Sequence, residues 1–397
     1  MEDLLIKSNR KLLDVDLSFK RFLFEKINFD QRLIALKGAR GTGKTTMLLQ
    51  YGRIKKEDGF NVLYVALDDL FFKDRNLYDL AEWFYHNNGR YLLLDEVHKY
   101  PGWSREIKLI YDDFPGLNVI FSSSSILDIY RAESDLSRRA VAYILPELSL
   151  REFIVMESGI VIQTVDLNDL LTAHQEISET ITGKIRPLYE FGKYLKYGQY
   201  PYFIEGIDEY YQKVLATINL ILEIDIKAVI EIEYSNIVKL KRLLYSLATS
   251  VPFVPNISKL SDMIEVSRPY LIKALNILEK SQLIKQLHKS NKGISYLSKP
   301  DKIYLNNTNL IHALAGANSE KGNLRETFFL NQVSVRHDVR LPPSGDFFVE
   351  EEFIFEIGGK NKSAKQLYSR EKSFIVKDDI EIGAGRSIPL WMFGFLY

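Results

Sequence analysis

The sequence predicts a layered α/β core built on a parallel sheet, followed by a helical segment and a smaller region of mixed strands and helices. Three observations carry that expectation. Between about residues 30 and 145, short and nearly continuous apolar runs alternate with helical stretches, the pattern of strands covered on both faces. After about Leu150 the runs give way to apolar residues at helical spacing, as at Leu215, Ile218, Leu222 and Ile226. From about residue 300 both patterns return together.

Taken in order, residues 33–36, 61–67, 91–94 and 117–121 are the strand candidates of the core, with helices expected over 45–56 and 76–86. Helical spacing resumes near 165–180 and 208–250, separated by an aromatic connector that includes Tyr197, Gly198, Gln199, Tyr200 and Pro201. Pro252, Pro255 and the turn-forming Pro300 and Asp301 mark further boundaries. Beyond them, 302–305 and 353–357 look like strands and 324–333 like a helix. So apolar a stretch as 390–397 is expected to be tied into a core.

Composition narrows the function classes. At 397 residues the chain is long enough for two or three domains. Lys plus Arg and Asp plus Glu are both 52, which argues against a polybasic nucleic-acid binder while leaving room for one basic face. Cysteine is absent, so disulfides and thiolate metal sites are excluded, and the six histidines lack ligand-like spacing. The residues after Met1 lack the pattern of a signal peptide, and no apolar run is long enough to span a membrane. A soluble, cytoplasmic protein with no membrane partner is expected.

Gly38, Ala39, Arg40, Gly41, Thr42, Gly43, Lys44 and Thr45 match the P-loop (Walker A) pattern at every fixed position, after a strand and at the mouth of a helix. Glycines let the backbone wrap close to phosphate, and loop amides with the helix N-terminus favour an anion. Lys44 is expected to reach the β- and γ-phosphates, the Thr45 hydroxyl to bind Mg2+, and Thr46 to extend the phosphate-binding set. The apolar run 91–94 ends in Asp95 and Glu96, the matching Walker B half at the carboxyl edge of the sheet. Asp95 would hold Mg2+ and Glu96 would polarise the attacking water.

Ser122 and Ser123, at the end of the fourth strand, are candidates to orient that water; Ser124 and Ser125 are equally suited to capping the next helix. Arg139, beside Arg138, is a candidate for stabilising charge on a γ-phosphate, of its own chain or of a neighbour's. Asp68 and Asp69 end the second strand and could face the same cleft, with a loop-capping role the favoured reading.

These residues carry a resemblance. The stretch from Leu94 through Asp95, Glu96, His98, Lys99, Pro101 and Trp103, then the serines, Ser137 to Ala140 and Leu148 to Phe153, resembles a widespread prokaryotic AAA-type ATPase family. Its members carry a C-terminal domain of unknown function related to nuclease folds. The motif around Gly198 and Gln199, and Gly322, Asn323, Leu324, Arg325 and Glu326 far downstream, are also similar to the family's. Where the family usually has a Gly before its third-motif arginine, this chain has Arg138, so the resemblance gives the nucleotide-facing role to Arg139. The family's serine stretch usually contains a Gly, replaced here by Ser. The resemblance implies an AAA-type P-loop core over 1–155, a helical segment over 156–250, a winged-helix module over 251–299 and a nuclease-like α/β domain over 300–397.

The residues support the last two modules in their own right. Ile257, Leu260 and Ile264 space as one helix, and Leu271, Ala274, Leu275 and Leu278 as a second, with Ser267 and Pro269 at its start. Residues 283–287, a turn at Gly293 and residues 294–297 outline a wing. Lys273, Lys280, Lys285, Lys289 and Lys292 would there be free to meet DNA phosphates; a rigid spacer or protein-docking surface is the competing reading. In the tail, Asp346, Glu356 and Lys360, with Glu326 as a helical contributor, are arranged like the acids and lysine of metal-dependent nucleases. The usual lysine place, two residues after the second acid, is Gly358, and an inert or binding relic is the favoured reading.

The function expected is that of an ATP- and Mg2+-binding ATPase that drives a conformational change on a protein or DNA partner, or within a homo-oligomer. The alternatives are a nucleotide-gated DNA- or protein-binding module with vestigial hydrolysis and, more remotely, an ATP-regulated nuclease.

Overall fold

The computed structural model describes residues 1–123, 136, 138–229, 233–249, 257–289, 299–362 and 372–397. The chain divides into two compact units, Met1–Glu147 and Leu148–Tyr397.

In the first unit, strands β1 (Leu33–Lys37), β2 (Val62–Ala66), β3 (Tyr91–Asp95), β4 (Asn118–Ser123) and β5 (Val141–Ile144) form one sheet in the order β2-β3-β4-β1-β5. All neighbours are parallel. Helices α1 (Glu2–Asp14), α2 (Lys44–Glu57), α3 (Leu77–His86) and α4 (Trp103–Asp113) complete it. Successive strand residues point to opposite faces, and both faces are covered. Leu33, Ala35, Leu63, Val65, Leu92, Leu94, Val119 and Phe121 pack with Leu80 and Phe84 of α3 and Ile107 of α4. Ile34, Leu36, Tyr64, Leu93 and Ile120 pack beneath Met47, Leu48 and Tyr51 of α2. That two-sided burial is why these strands read as unbroken apolar runs. Helix α1 serves the edge strand β2, where the Ser8 hydroxyl accepts the Tyr64 amide at 2.9 Å.

Strand β5 was not among the strands expected from the sequence. Among the described residues it pairs only with β1, and its residues alternate between half-buried and exposed, although Val141 to Ile144 are apolar throughout.

The second unit opens with α5 (Leu150–Ser158), α6 (Leu167–Thr182), α7 (Pro187–Tyr197), α8 (Tyr210–Leu220), the short α9 (Ile226–Val229) and α10 (Tyr234–Thr249). A π-turn over Ile221–Asp225 joins α8 to α9. Then come α11 (Ile257–Met263), α12 (Arg268–Lys280), β6 (Ile284–Leu287), β7 (Lys302–Leu305), α13 (Thr308–Ala315) and α14 (Lys321–Val333). Ser267 caps α12 by accepting from Tyr270 N, with proline in the first turn. The expected wing differs in one respect. β6 pairs antiparallel with β7, a strand assigned from the sequence to the following module; residues 290–298, which include Gly293 and 294–297, lie outside the described residues.

Strands β8 (Val339–Arg340), β9 (Phe347–Val349), β10 (Phe353–Gly358), β11 (Ser373–Lys377) and β12 (Ser387–Pro389) build a mixed sheet in the order β12-β11-β10-β9-β8. The chain end is core, as its composition requires: Trp391, Phe393, Phe395 and Tyr397 are buried. Among the described residues no helix is long and apolar enough to cross a membrane.

Candidate nucleotide site

Each piece of the site follows a parallel strand, so the topology alone gathers them at one edge of the sheet. The loop 38–43 leaves β1 and enters α2, Asp95 ends β3, and Ser122 and Ser123 end β4, which lies between β1 and β3.

The loop is glycine-dependent at both ends. A Cβ on Gly38 would stand 2.4 Å from the Leu145 carbonyl oxygen, a clash with backbone. Gly43, the residue before α2, has φ 95°, a left-handed value that favours glycine. Lys44 is buried and folds back over the loop, its Nζ donating to the carbonyls of Gly38 at 2.9 Å and Ala39 at 2.7 Å. The Thr42 hydroxyl donates to the Ala39 carbonyl, while Thr45 and Thr46 are exposed. The ammonium thus sits where loop amides and the helix N-terminus also favour negative charge.

Asp95 is 3% exposed and accepts three hydroxyls. Thr45 donates to one carboxylate oxygen at 2.7 Å and Tyr64 to the same oxygen at 2.8 Å, while Ser122 donates to the other. Burial, reinforced by the Asp95 charge, pushes the Tyr64 phenol well above its ordinary range, so it stays a donor. The same Ser122 hydroxyl accepts the Glu96 amide at 3.1 Å. Ser123 lies 3.4 Å from His98 Nδ1.

Glu96 has φ 54° and ψ 43°, the left-handed region for a residue with a Cβ. Three basic groups surround its Oε2: Lys99 Nζ at 3.4 Å, His98 Nε2 at 3.6 Å and an Arg40 Nη at 3.7 Å. Lys99 also grips Asp68 at 2.6 Å. Burial pulls the Lys99 ammonium down, but Asp68 and Glu96 together hold it above the usual lysine range. Asp69 takes the capping role expected of it, accepting from the Phe71 amide.

The structure does not bring Arg139 to this edge. It forms a two-pronged pair with Asp112 near the end of α4, both contacts at 2.9 Å. Parallel pairing sets Ile34 opposite Val141 and Lys37 opposite Ile144, so a residue preceding β5 lies at the opposite edge from the loop, about 13 Å or more away at strand rise. Ser124, Ser125 and Ser137 lie outside the described residues.

Four contributors carried no sequence signal as site residues. Tyr64 comes from the middle of β2 and Arg21 from before the core. The buried Arg21 guanidinium donates to the carbonyls of Thr42, Pro146 and Glu147, tying the loop to the chain beyond β5. His98 and Lys99 were part of the recognised stretch without a role attached.

In the second unit, the acids noted in the tail meet lysines, though not the one expected. Lys362, not Lys360, pairs with Glu356 at 2.8 Å. Gly358 leaves room for it: a Cβ there would lie 2.6 to 2.7 Å from the Lys362 side chain. Lys302 stands 3.4 Å from Glu326 and 3.9 Å from Asp346. Burial, outweighing Lys302, pushes the Glu326 carboxyl above its ordinary range. Among the basic residues expected to be free for DNA, Lys285 instead donates to Ser334, and Lys292 lies outside the described residues.

Comparison with known proteins agrees with the first unit. Residues 30–154 match the family model described as AAA domain, and residues 188–321 match that described as Domain of unknown function (DUF8612). An uncharacterized protein of Methanocaldococcus jannaschii, MJ1637, is 28% identical over 414 aligned positions, covering 93% of this chain and 85% of its own. Among solved structures, the Walker-type ATPase PABY2304 of Pyrococcus abyssi aligns with a TM-score of 0.40 and 11% identity, over 78% of this chain and 94% of that one. AMPPCP-bound DnaA from Aquifex aeolicus aligns with a TM-score of 0.28 and 16% identity, over 65% and 84%. The parallel sheet, the loop and the matched family model together identify residues 30–154 of this chain as an AAA domain with a P-loop ATPase-like fold, followed over 188–321 by a domain of unknown function.

Proposed function

We propose that the chain is an ATP-binding protein and Mg2+-dependent ATPase that uses ATP binding and hydrolysis to drive a conformational change on a protein or DNA partner. The observation that carries this reading is the convergence of Lys44, Thr45, Asp95 and Glu96 at one sheet edge, with the Thr45 hydroxyl 2.7 Å from the Asp95 carboxylate. Such hard oxygens suit magnesium, which takes few protein ligands and fills its other positions with water and phosphate. Among the described residues no cluster of three or more acidic, His or Cys side chains suits a metal held by protein alone. Thr45 and Asp95 would hold the ion, which when bound neutralises charge on the phosphates.

The remaining roles belong to the chain. The loop 38–43 with Thr46 binds the phosphates, and Lys44 leaves its own loop carbonyls for the β- and γ-oxygens. Tyr64 and Ser122 fix the Asp95 carboxylate. Glu96 takes the proton of the attacking water, and Ser123 with His98 lies beside it to orient that water. Arg139, on the opposite edge, serves a neighbouring copy's phosphate. Hydrolysis by the isolated chain is therefore slow, and a homo-oligomer or partner completes the site. That placement also favours the second reading, a nucleotide-gated module in which turnover is vestigial. DNA contact through the helix pair α11–α12 is the finer proposal for the partner.

The test is phosphate release from ATP by the purified chain across a range of protein concentrations, in Mg2+ or EDTA, with and without duplex DNA. Mg2+-dependent release that rises with concentration or DNA supports the ATPase. Background release under all conditions, with ATP still bound, leaves the gated module.

A further inference from the structure

Helix α10 turns one face into the second unit and leaves another whose composition that packing does not explain. Ile237, Leu240, Leu244 and Leu247 recur at helical spacing and are buried. The rest of the helix carries Lys239, Lys241 and Arg242 and no acid. Yet Tyr245 shares that outer face and is 50% exposed, and Met263, at the end of α11, is 53% exposed. Single apolar side chains in water are ordinary, but two from different helices that share a cavity point to a ligand.

They do share one. Lys241, Arg242, Tyr245 and Ser246 of α10, with Met263 and the buried Ile264, line a cavity of about 420 Å3. The three cations of α10 are not equally engaged. Lys239 donates to the Glu265 carbonyl at 2.8 Å and Lys241 to the Glu223 carboxylate at 2.7 Å. Among the described residues the Arg242 guanidinium pairs with no acid. Asp262 and Glu265 adjoin Met263 and Ile264 in the chain but do not line the cavity. The lining therefore keeps one uncompensated positive charge, beside an aromatic ring and an apolar wall.

Arg242 and Tyr245 lie three apart on one helix, which sets their Cβ atoms about 5–6 Å from each other. A phosphate joined to a flat base matches such a pair, because bases of any sequence stack on tyrosine and arginine binds the phosphate. A duplex keeps its bases turned inward, so a single strand is what offers one. A ribose fits less well, since its 2′-hydroxyl would lose water against Met263 and Ile264.

We propose that this cavity holds one nucleotide of a single DNA strand, its base stacked on Tyr245 against Met263 and its phosphate on Arg242. This rests on the reading of a DNA partner above and names the form of that DNA; the ATP site is tested apart from it, by phosphate release.

The experiment follows the fluorescence anisotropy of a labelled oligothymidylate of about twelve nucleotides on the full chain, without ATP. Arg242→Ala should weaken binding about tenfold and lower the slope of log affinity against log salt by about 0.7, the share of one phosphate. Tyr245→Ala should also weaken binding about tenfold but leave the slope unchanged, whereas Tyr245→Phe, which keeps the ring, should bind within about twofold of wild type. Both positions are exposed, so thermal unfolding of the variants should match wild type. Absence of binding by wild type, equal binding by both alanine variants, or a Tyr245→Phe as weak as Tyr245→Ala overturns the proposal. Tighter binding of the matching dA·dT duplex would also overturn it and return the partner to the helix pair α11–α12. Oligouridylate bound as tightly as oligothymidylate would make the occupant RNA, and tighter binding of an acidic peptide of alternating glutamate and tyrosine would make it a protein; either contradicts the assignment to DNA.

Discussion

The phosphate edge of the first unit and the buried polar network around Gln199 and Asn309 in the second are both dense in polar side chains, and they differ in whether their central groups are satisfied, although Gln332 Oε1 of the network lacks a partner among the described residues. In the second unit Gln199 is buried and fully engaged: its amide N–H donates to Asn309 Oδ1 at 2.8 Å, and its Oε1 accepts from the Thr308 hydroxyl at 3.1 Å and the Asn309 amide at 3.0 Å. Asn309 in turn donates to the carbonyls of Tyr194 and Leu195 and accepts from Tyr210. Ser149 and Arg151 capture the Tyr397 carbonyl in the same manner. At the phosphate edge, by contrast, Glu96 keeps an unpartnered oxygen, and Lys44 binds carbonyls that it can exchange for phosphate. Saturated polar groups fix a fold. At the phosphate edge the unpartnered Glu96 oxygen shares its sheet edge with Lys44, Thr45 and Asp95, and it is that convergence that marks chemistry.

The comparison can be broken at either end. Its largest expected effect is Lys44→Ala, which should weaken ATP binding about a hundredfold or more by removing the one cation buried in the loop; titration calorimetry checks it. Wild-type affinity would remove the phosphate edge from the account. Next, Asn309→Leu should destabilise the second unit by about 3 kcal/mol, because it orphans the Gln199 backbone N–H and takes the Asn309 acceptor from the Tyr210 hydroxyl. Denaturant unfolding reads that loss, and ATP affinity should hold at the wild-type value. A neutral Asn309→Leu would mean that the network specifies nothing.

A pH effect of intermediate size belongs to the saturated region. Burial, with help from Lys196, lowers His312 to about 4. The folded state therefore keeps the ring neutral while the unfolded chain protonates it near pH 6.5. Stability is full above that value and is lost as pH falls toward 4, by roughly 2 kcal/mol after allowance for partial exposure. His312→Gln should flatten the unfolding free energy across that window. The smallest effect expected is Gly358→Ala, about 1 kcal/mol from displacing Lys362 over β10. If that change is silent, the Lys362–Glu356 pair adds nothing to the sheet.

How much of this was legible in the sequence follows from locality. The loop is eight contiguous residues between a strand and a helix, and Asp95 and Glu96 end an apolar run, so local pattern places them at one edge once the sheet is parallel. Tyr64, Arg21, His98 and Lys99 reach the edge singly, from a strand middle and from loops, where no spacing rule applies. β5 escaped notice although Val141 to Ile144 are all apolar, because four residues are too few for periodicity to tell a strand from another short apolar segment. Lys360 was singled out over Lys362 because strand counting assumes that the chain runs straight after Glu356, whereas Lys362 folds back over Gly358. Gln199 and its neighbours were recognised only as a motif; their spacing could not reveal a structural role, because their partners lie more than a hundred positions away.

The central claim is that Glu96 activates water against a phosphate held by the loop. Single-turnover phosphate release, measured beside ATP binding in wild type and Glu96→Gln, tests it most directly. The account predicts that Glu96→Gln keeps ATP bound while release falls about a hundredfold or more. Release at the wild-type rate in Glu96→Gln, with ATP bound equally, would contradict it.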